Sequence, residues 1–385
     1  MKKLRIGIIY GGRSGEHEVS VASAASVFKY LDRDRYEPIP IRIEKDGRWV
    51  IADRAPVALA ASEVIEQTRQ SVTHQLRHGR QAHMLAYPAD EPLLTIERSR
   101  AEDQRENAYV QGLGLDVVFP VLHGPYGEDG TVQGLLELAN LPYVGAGVLA
   151  SAVGMDKAVM KLVFAARGLP VAPYRTVLRH EWQRDCTAVA NACIGDLDLP
   201  LFVKPANLGS SVGISKAKSL TSLIDAVELA FQYDRKAVIE KAVPHAREIE
   251  CAVLGNNEPE ASVAGEIVPK REFYDYEAKY LDAGSELLIP APLSESEQAD
   301  IRRMALEAFQ AVDCAGLARV DFLLDGESGR VFVNEINTLP GFTTISMYSK
   351  LWAATGVQYQ ALLDRLVRLA LERHTEKQRL KTSVL

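Results

Sequence analysis

Apolar and polar positions divide the chain into short blocks whose periods differ. LRIGIIY at residues 4–10 is nearly continuously apolar, Gly11 and Gly12 follow, and Val19, Ala22, Val27, Tyr30 and Leu31 then recur at the spacing of one helix face. That order predicts a buried strand, a tight turn and an amphipathic helix. LDVVFPVLHG followed by TVQGLLELA repeats it, so a parallel-sheet domain is expected to end near Gly145. The stretch between, from about residue 45 to 110, is polar and reads as an irregular, solvated insertion. His74 and His78 are four apart there with His83 close by, but no Cys or carboxylate cluster accompanies them, which favours surface decoration over a metal site.

From about residue 146 the pattern changes. LPLFVKP predicts a strand, NLGSSVG a loop, Leu223, Val227, Ala230 and Phe231 one face of a helix, and AVIEKAV another strand. The last third carries strands at EIECAVL, ASVAGEIV, ARVDFLL and VFVNEIN, with a long helix opened by the capping box Ser294–Glu297. LERHTEKQRLKTSVL reads as a fraying helix and tail. The fold class expected is α/β, α+β overall, without internal repeats.

Composition narrows the function. At 385 residues and 47% hydrophobic content the chain supports two or three domains. A net charge of -7 argues against a general nucleic-acid binder. Arg5 and the Gly11-Gly12 pair break the N-terminal apolar run, so neither a signal peptide nor a membrane span is expected. Cys186, Cys193, Cys251 and Cys314 form no C-x-x-C pair, which speaks against a disulfide framework or a zinc site and fits a reducing cytoplasm.

Four stretches carry candidate chemistry. In VFVNEINTLPG, Glu335 and Asn337 are two apart and share a strand face. ARVDFLL, joined to it through DGESGR, places Asp321 where a hairpin would bring all three together. Hard oxygen donors without His or Cys suit Mg²⁺, and the neighbouring Arg319 weakens the plain reading of solvated strand tips. In FVKPANLGSSVGIS, Gly209 and Gly213 permit an anion-binding loop and Lys204 favours phosphate over a bare surface loop, although neither a Walker nor a dinucleotide motif is present. FYDYEAKYLDAGSEL crowds Phe273, Tyr274, Tyr276 and Tyr280 around Lys279, as a ligand cover or an exposed loop would. GGRSGEHEVS lies beyond the carboxyl end of the first strand, where open sheets bind ligands, and its Glu16 and Glu18 could each cap the helix or bind.

Taken in order, GGRSGEHEVS, LHGPYGEDG, MDK, VKPANLGSSVGISK, VIEKAV, FYDYEAKY, ARVDF and VNEINTLPGFT resemble the D-alanine:D-alanine ligases of the ATP-grasp family, over about residues 4 to 370. The resemblance implies three domains, at 1–145, 146–240 and 241–385, with ATP between the second and third. It implies Asp321, Glu335 and Asn337 as ligands of two Mg²⁺ ions, with Mn²⁺ able to substitute. Lys157, Lys204, Lys279, Ser210 and Ser211 would meet the phosphates, Glu240 and the backbone through Lys241 and Val243 the adenine, and Glu248 the ribose. Glu16 would bind the first D-alanine in a hydrogen-bonded set with Ser210 and Tyr280, with His123 nearby. Ser346 and Met347 would receive the second substrate's carboxylate, and Arg319 and the Gly341 amide the oxyanion. Pro125 and Tyr126 receive no role. A cytoplasmic homodimer serving peptidoglycan synthesis is further implied. The alternatives are a ligase that uses D-lactate or D-serine, one that takes another acid, and a nucleotide-binding protein without turnover.

Overall fold

A computed structural model of the protein describes residues 2–57, 80–100, 106–210, 212–269 and 286–381. Ser211, Lys279 and Tyr280 lie outside the described residues, as do the other aromatics of their loop and His74 and His78. Strands β1 (Leu4–Gly11), β2 (Tyr36–Ile43), β3 (Trp49–Ile51), β4 (Arg80–Met84), β5 (Leu93–Arg100), β6 (Glu106–Gly112) and β7 (Val117–Val121) form one sheet in the order β6-β5-β4-β3-β2-β1-β7. β1 pairs in parallel with β2 and β7. Its continuous apolar run follows from burial on both faces: Ile6 and Ile8 pack with Val27 and Phe28, and Ile9 packs with Val132 and Leu136 on the other side.

The insertion differs from its expected irregularity. β4, β5 and β6 extend the first sheet by antiparallel pairing. Among the described side chains few enter a core, Ala82 and Leu93 being two that do, because these strands are joined through backbone bonds that carry no apolar signature. His83 is exposed on β4.

A second sheet contains β8 (Tyr174–Leu178), β9 (Leu201–Pro205), β10 (Ser215–Ala217) and β11 (Lys236–Lys241) in the order β10-β9-β11-β8. Its core is largely its own: Leu223, Val227, Ala230 and Phe231 of the helix Leu220–Tyr233 pack with Val203, Ile239 and Trp182. β12 (Arg247–Gly255), β13 (Glu260–Val268), β14 (Glu286–Leu288), β15 (Gly316–Leu324) and β16 (Val331–Asn337) form the third sheet, in the order β14-β13-β12-β15-β16. The helix Glu295–Ala311 covers it, opened by Ser294, whose hydroxyl accepts from the Glu297 amide.

The helices Met347–Ala354 and Tyr359–Gln378 lie between the first and third sheets, and Trp352, Leu362 and Val367 share one core with Ile6, Phe119 and Leu254. The C-terminal helix therefore does not fray where its composition suggests. It runs through Gln378 because Arg373 donates to the backbone oxygens of Tyr143 and Gly145 and Lys377 pairs with Glu137.

Candidate functional site

Three surfaces meet, the turn after β1, the loop after β9 and the β15–β16 hairpin, joined by Glu16 to Ser210 and by Lys204 to Asn334, and the face they share is the candidate cleft. In the hairpin Arg319 lies opposite Asn337 and Asp321 opposite Glu335. The register then shifts, so that Phe322 faces Val333 and Asn334 is the extra residue of a bulge. Val333 and Ile336 are consequently both in the core, and Asn334 joins Glu335 on the cleft side, where simple alternation would have sent it inward. Asn337 Nδ2 lies 3.5 Å from Asp321 Oδ2, and Glu335 Oε2 lies 3.5 Å from Lys157 Nζ.

Arg319 forks onto Asp321 at 2.7 and 2.6 Å and meets Glu250 at 3.0 Å. Burial opposes its charge, but Asp321 and Glu250 outweigh that and hold it firmly protonated. No cluster of three His, Cys, Asp or Glu side chains among the described residues could hold a metal. What the hairpin offers instead is two carboxylates and a carboxamide, Asp321, Glu335 and Asn337, gathered at one strand end. That all-oxygen set fits Mg²⁺ rather than zinc.

A buried charge cluster lies beneath the cleft. Lys204 Nζ donates to Glu240 Oε2 at 2.8 Å and to Asn334 Oδ1 at 3.1 Å. Glu240 Oε1 is 3.1 Å from Lys161 Nζ and forms an ion pair with it. Burial raises the Glu240 carboxyl, but Lys161 and Lys204 overcome it and bring it down to about 2. For Lys204 burial is outweighed by Glu240 and the net direction is upward; for Lys161 burial wins and the direction is downward. Lys157 caps the floor, its ammonium 2.8 Å from the Leu208 carbonyl oxygen at the start of the glycine-rich loop.

Glu16 links the first surface to the second. Only 9% exposed, it accepts a hydrogen bond from the Ser210 hydroxyl, and Ser210 takes a left-handed backbone with φ 51°. Two glycines make room for it: a Cβ on Gly124 would fall 2.6 Å from Glu16 Oε2, and one on Gly209 would fall 3.1 Å away. His123, 4% exposed, is fixed by Ser23 Oγ at 3.1 Å and the Leu339 carbonyl at 3.1 Å, with Glu128 at 3.7 Å. Burial lowers its basicity, but Glu128 and Glu16 more than compensate.

At the far end Ser346 precedes the helix Met347–Ala354, and its hydroxyl meets the Thr343 amide at 3.0 Å and the Thr343 hydroxyl at 2.8 Å. Gly341 lies alongside, so close that a Cβ there would be 3.4 Å from Ser346 Oγ. Met347 is buried. Lys241 turns outward to Asp198 at 3.1 Å, Val243 lies partly exposed in the link to β12, and Glu248 adds to the field at Lys204.

Thus Glu16 and Ser210 meet directly, Lys204 and Glu240 do so, and Arg319, Asp321, Glu335 and Asn337 share the hairpin. Lys161, Glu250 and Asn334 were missed by sequence reasoning. Lys161 follows Lys157 by one helical turn, which was an available signal. Asn334 had none, because a bulge is a property of the pairing.

The chain matches the family described as D-ala D-ala ligase N-terminus over residues 5–146 and D-ala D-ala ligase C-terminus over residues 163–368. It is 51% identical to a D-alanine--D-alanine ligase of Heliobacterium modesticaldum, covering 100% of this chain and 99% of that protein. A D-alanine--D-alanine ligase of Bacillus licheniformis is 49% identical, with 98% and 99% covered. Among solved structures, the D-alanine-D-alanine ligase from Coxiella burnetii aligns with a TM-score of 0.79 at 38% identity, covering 98% of this chain and 97% of that one. VanG D-Ala:D-Ser ligase from Enterococcus faecalis aligns with a TM-score of 0.80 at 31% identity, over 96% and 100%.

Proposed function

The chain belongs to the D-alanine–D-alanine ligase family, and from that premise we infer that it is an ATP-grasp enzyme joining two D-alanines into D-alanyl-D-alanine at the expense of ATP. The observation that carries this reading is the shared floor of the cleft. Lys157 stands 3.5 Å from Glu335, and Lys204 stands 3.1 Å from its neighbour Asn334, so phosphate-binding cations and hard-oxygen ligands present one surface.

The domains divide near residues 145 and 240, with ATP between the second and third. A carboxylate is a poor electrophile, so the first D-alanine must be activated before an amine can attack it. Glu16, held by Ser210, binds its ammonium, with His123 beside it. Its carboxylate then attacks the γ-phosphate of ATP, giving an acyl phosphate and ADP. Lys157, Lys204, Lys279, Ser210 and Ser211 meet the phosphates, Glu240 with the backbone at Lys241 and Val243 the adenine, and Glu248 the ribose. Two Mg²⁺ ions, replaceable by Mn²⁺, fit Asp321, Glu335 and Asn337 and supply neutralisation of phosphate charge when bound.

The second D-alanine places its carboxylate at Ser346 and Met347, where a helix begins. Its amine attacks the acyl carbonyl, and phosphate leaves. Arg319, aligned by Asp321 and Glu250, and the Gly341 amide face the oxyanion. Tyr280 closes the hydrogen-bonded set with Glu16 and Ser210, and closure protects the acyl phosphate from water. No helix among the described residues is long and apolar enough to cross a membrane. A cytoplasmic homodimer supplying peptidoglycan precursors completes the reading.

Phosphate release from ATP and Mg²⁺ tests it, with D-alanine, with L-alanine, and with D-alanine plus D-serine or D-lactate. Release with D-alanine alone and a product of D-alanyl-D-alanine mass is expected. A mixed product formed in preference would move the specificity to the related branch, and no release under any condition would refute the assignment.

A further inference from the structure

We propose that Lys161 is a positioning residue of the nucleotide site, neutralising Glu240 so that the charge of Lys204 remains available to the triphosphate. The proposal rests on the reading that Lys204 meets the ATP phosphates. Lys161 is 1% exposed, deeper than any ligand in the cleft can reach, so it acts only through another side chain. Its ammonium lies 3.1 Å from Glu240 Oε1 and 5.7 Å from the centre of the Tyr174 ring. Sealing an ammonium away from water is costly, and an apolar chain of similar length would fill the same space. The charge itself is what the site retains.

Counting charges shows its use. Glu240 already has a partner in Lys204, 2.8 Å from its other oxygen, and those two alone sum to zero. With Lys161 the trio carries +1. An ammonium has three N–H groups; Lys204 places one on Glu240 and one on Asn334, and the third remains for a phosphate oxygen. Without Lys161 the undivided charge of Glu240 would draw on Lys204 and cancel it. The other acids near the trio do not serve instead: Glu335 and Glu248 add negative potential at Lys204, and Glu335 has its own cation in Lys157.

The test compares ADP with adenosine, titrated in Mg²⁺-free buffer with EDTA into the full chain and into Lys161→Met, Lys161→Gln and Lys204→Met variants. A unit charge acting on another at ~10 Å through an effective dielectric of ~20 corresponds to roughly a ten- to thirtyfold change in affinity, which sets the scale of the expected loss. Both Lys161 variants are therefore expected to bind ADP that much more weakly, and adenosine, which lacks the phosphates and meets Glu240 only through its base, is expected to weaken far less. Lys161→Gln keeps an N–H donor beside Glu240, so it serves as the test where Lys161→Met fails to fold. Equal weakening of ADP and adenosine would mean a merely structural role and overturn the proposal. Native ADP affinity in the Lys161 variants, with Lys204→Met weakened, would overturn this inference alone. Native ADP affinity in Lys204→Met would overturn the underlying reading of Lys204.

Discussion

Replacing Glu240 with glutamine probes how two buried lysines are held in one small cluster. Glu240 is 2% exposed, and each of its oxygens faces an ammonium, at 3.1 Å for Lys161 and 2.8 Å for Lys204. Burial pushes its carboxyl up, but the two lysines win and bring it from the ordinary 4.5 to about 2. At ~1.36 kcal/mol per pH unit, that difference contributes about 3 kcal/mol of stability. A carboxyl depressed on folding stabilises above its unfolded value and loses that contribution as pH falls through its folded value. The contribution is thus complete above about 4.5 and gone near 2. Urea unfolding of the native chain and Glu240→Gln at several pH values from 7 to 3, in a background where Trp49 and Trp352 are replaced by Phe so that fluorescence reports Trp182 in the core of the second sheet, reads the difference. The variant should be less stable at pH 7 by about 3 kcal/mol, with the gap closing as pH falls below 4.5. A gap that stays constant across the range, or none at pH 7, would refute the account.

Glu335→Ala removes a carboxylate from the hairpin floor, and ATP-dependent phosphate release should fall by at least about 10²-fold with little change in thermal midpoint. A near-native rate would sink the assignment of that strand end. Ser210→Ala breaks the bridge to Glu16, and KM for the first D-alanine should rise about fivefold, the scale of one net hydrogen bond; steady-state kinetics with D-alanine varied check it. Gly213→Ala should destabilise the second sheet by about 1–3 kcal/mol, because φ is 72° and a Cβ would meet the Tyr233 ring at 2.7 Å and Pro205 at 2.9 Å. An unchanged unfolding midpoint there would contradict the packing described.

Much of the site was legible where local pattern decides. The helix Leu220–Tyr233 buries Leu223, Val227, Ala230 and Phe231 because a 3.6-residue period can satisfy only one core-facing stripe. Asp321 and Glu335 stand opposite each other because hairpin connectivity sets the pairing of adjacent strands. The insertion was illegible because its described side chains bury little, and backbone pairing is blind to side-chain polarity. The ordered end of the last helix was illegible because the Gly145 oxygen that accepts from Arg373 is 228 positions away.

The sequence by itself determined the strands and helices with strong periodicity, the capping box, the oxygen-donor character of the hairpin and the ligase resemblance. All of these depend on residues near one another in the chain or on ordered motifs. Only the tertiary structure decided that Glu16 meets Ser210 across 194 positions, that a bulge turns Asn334 into the cleft, and that Lys161 shares Glu240 with Lys204. Those outcomes depend on which distant surfaces pack together and on how buried charges are balanced there. Both are set by desolvation and close approach, which a linear pattern does not contain.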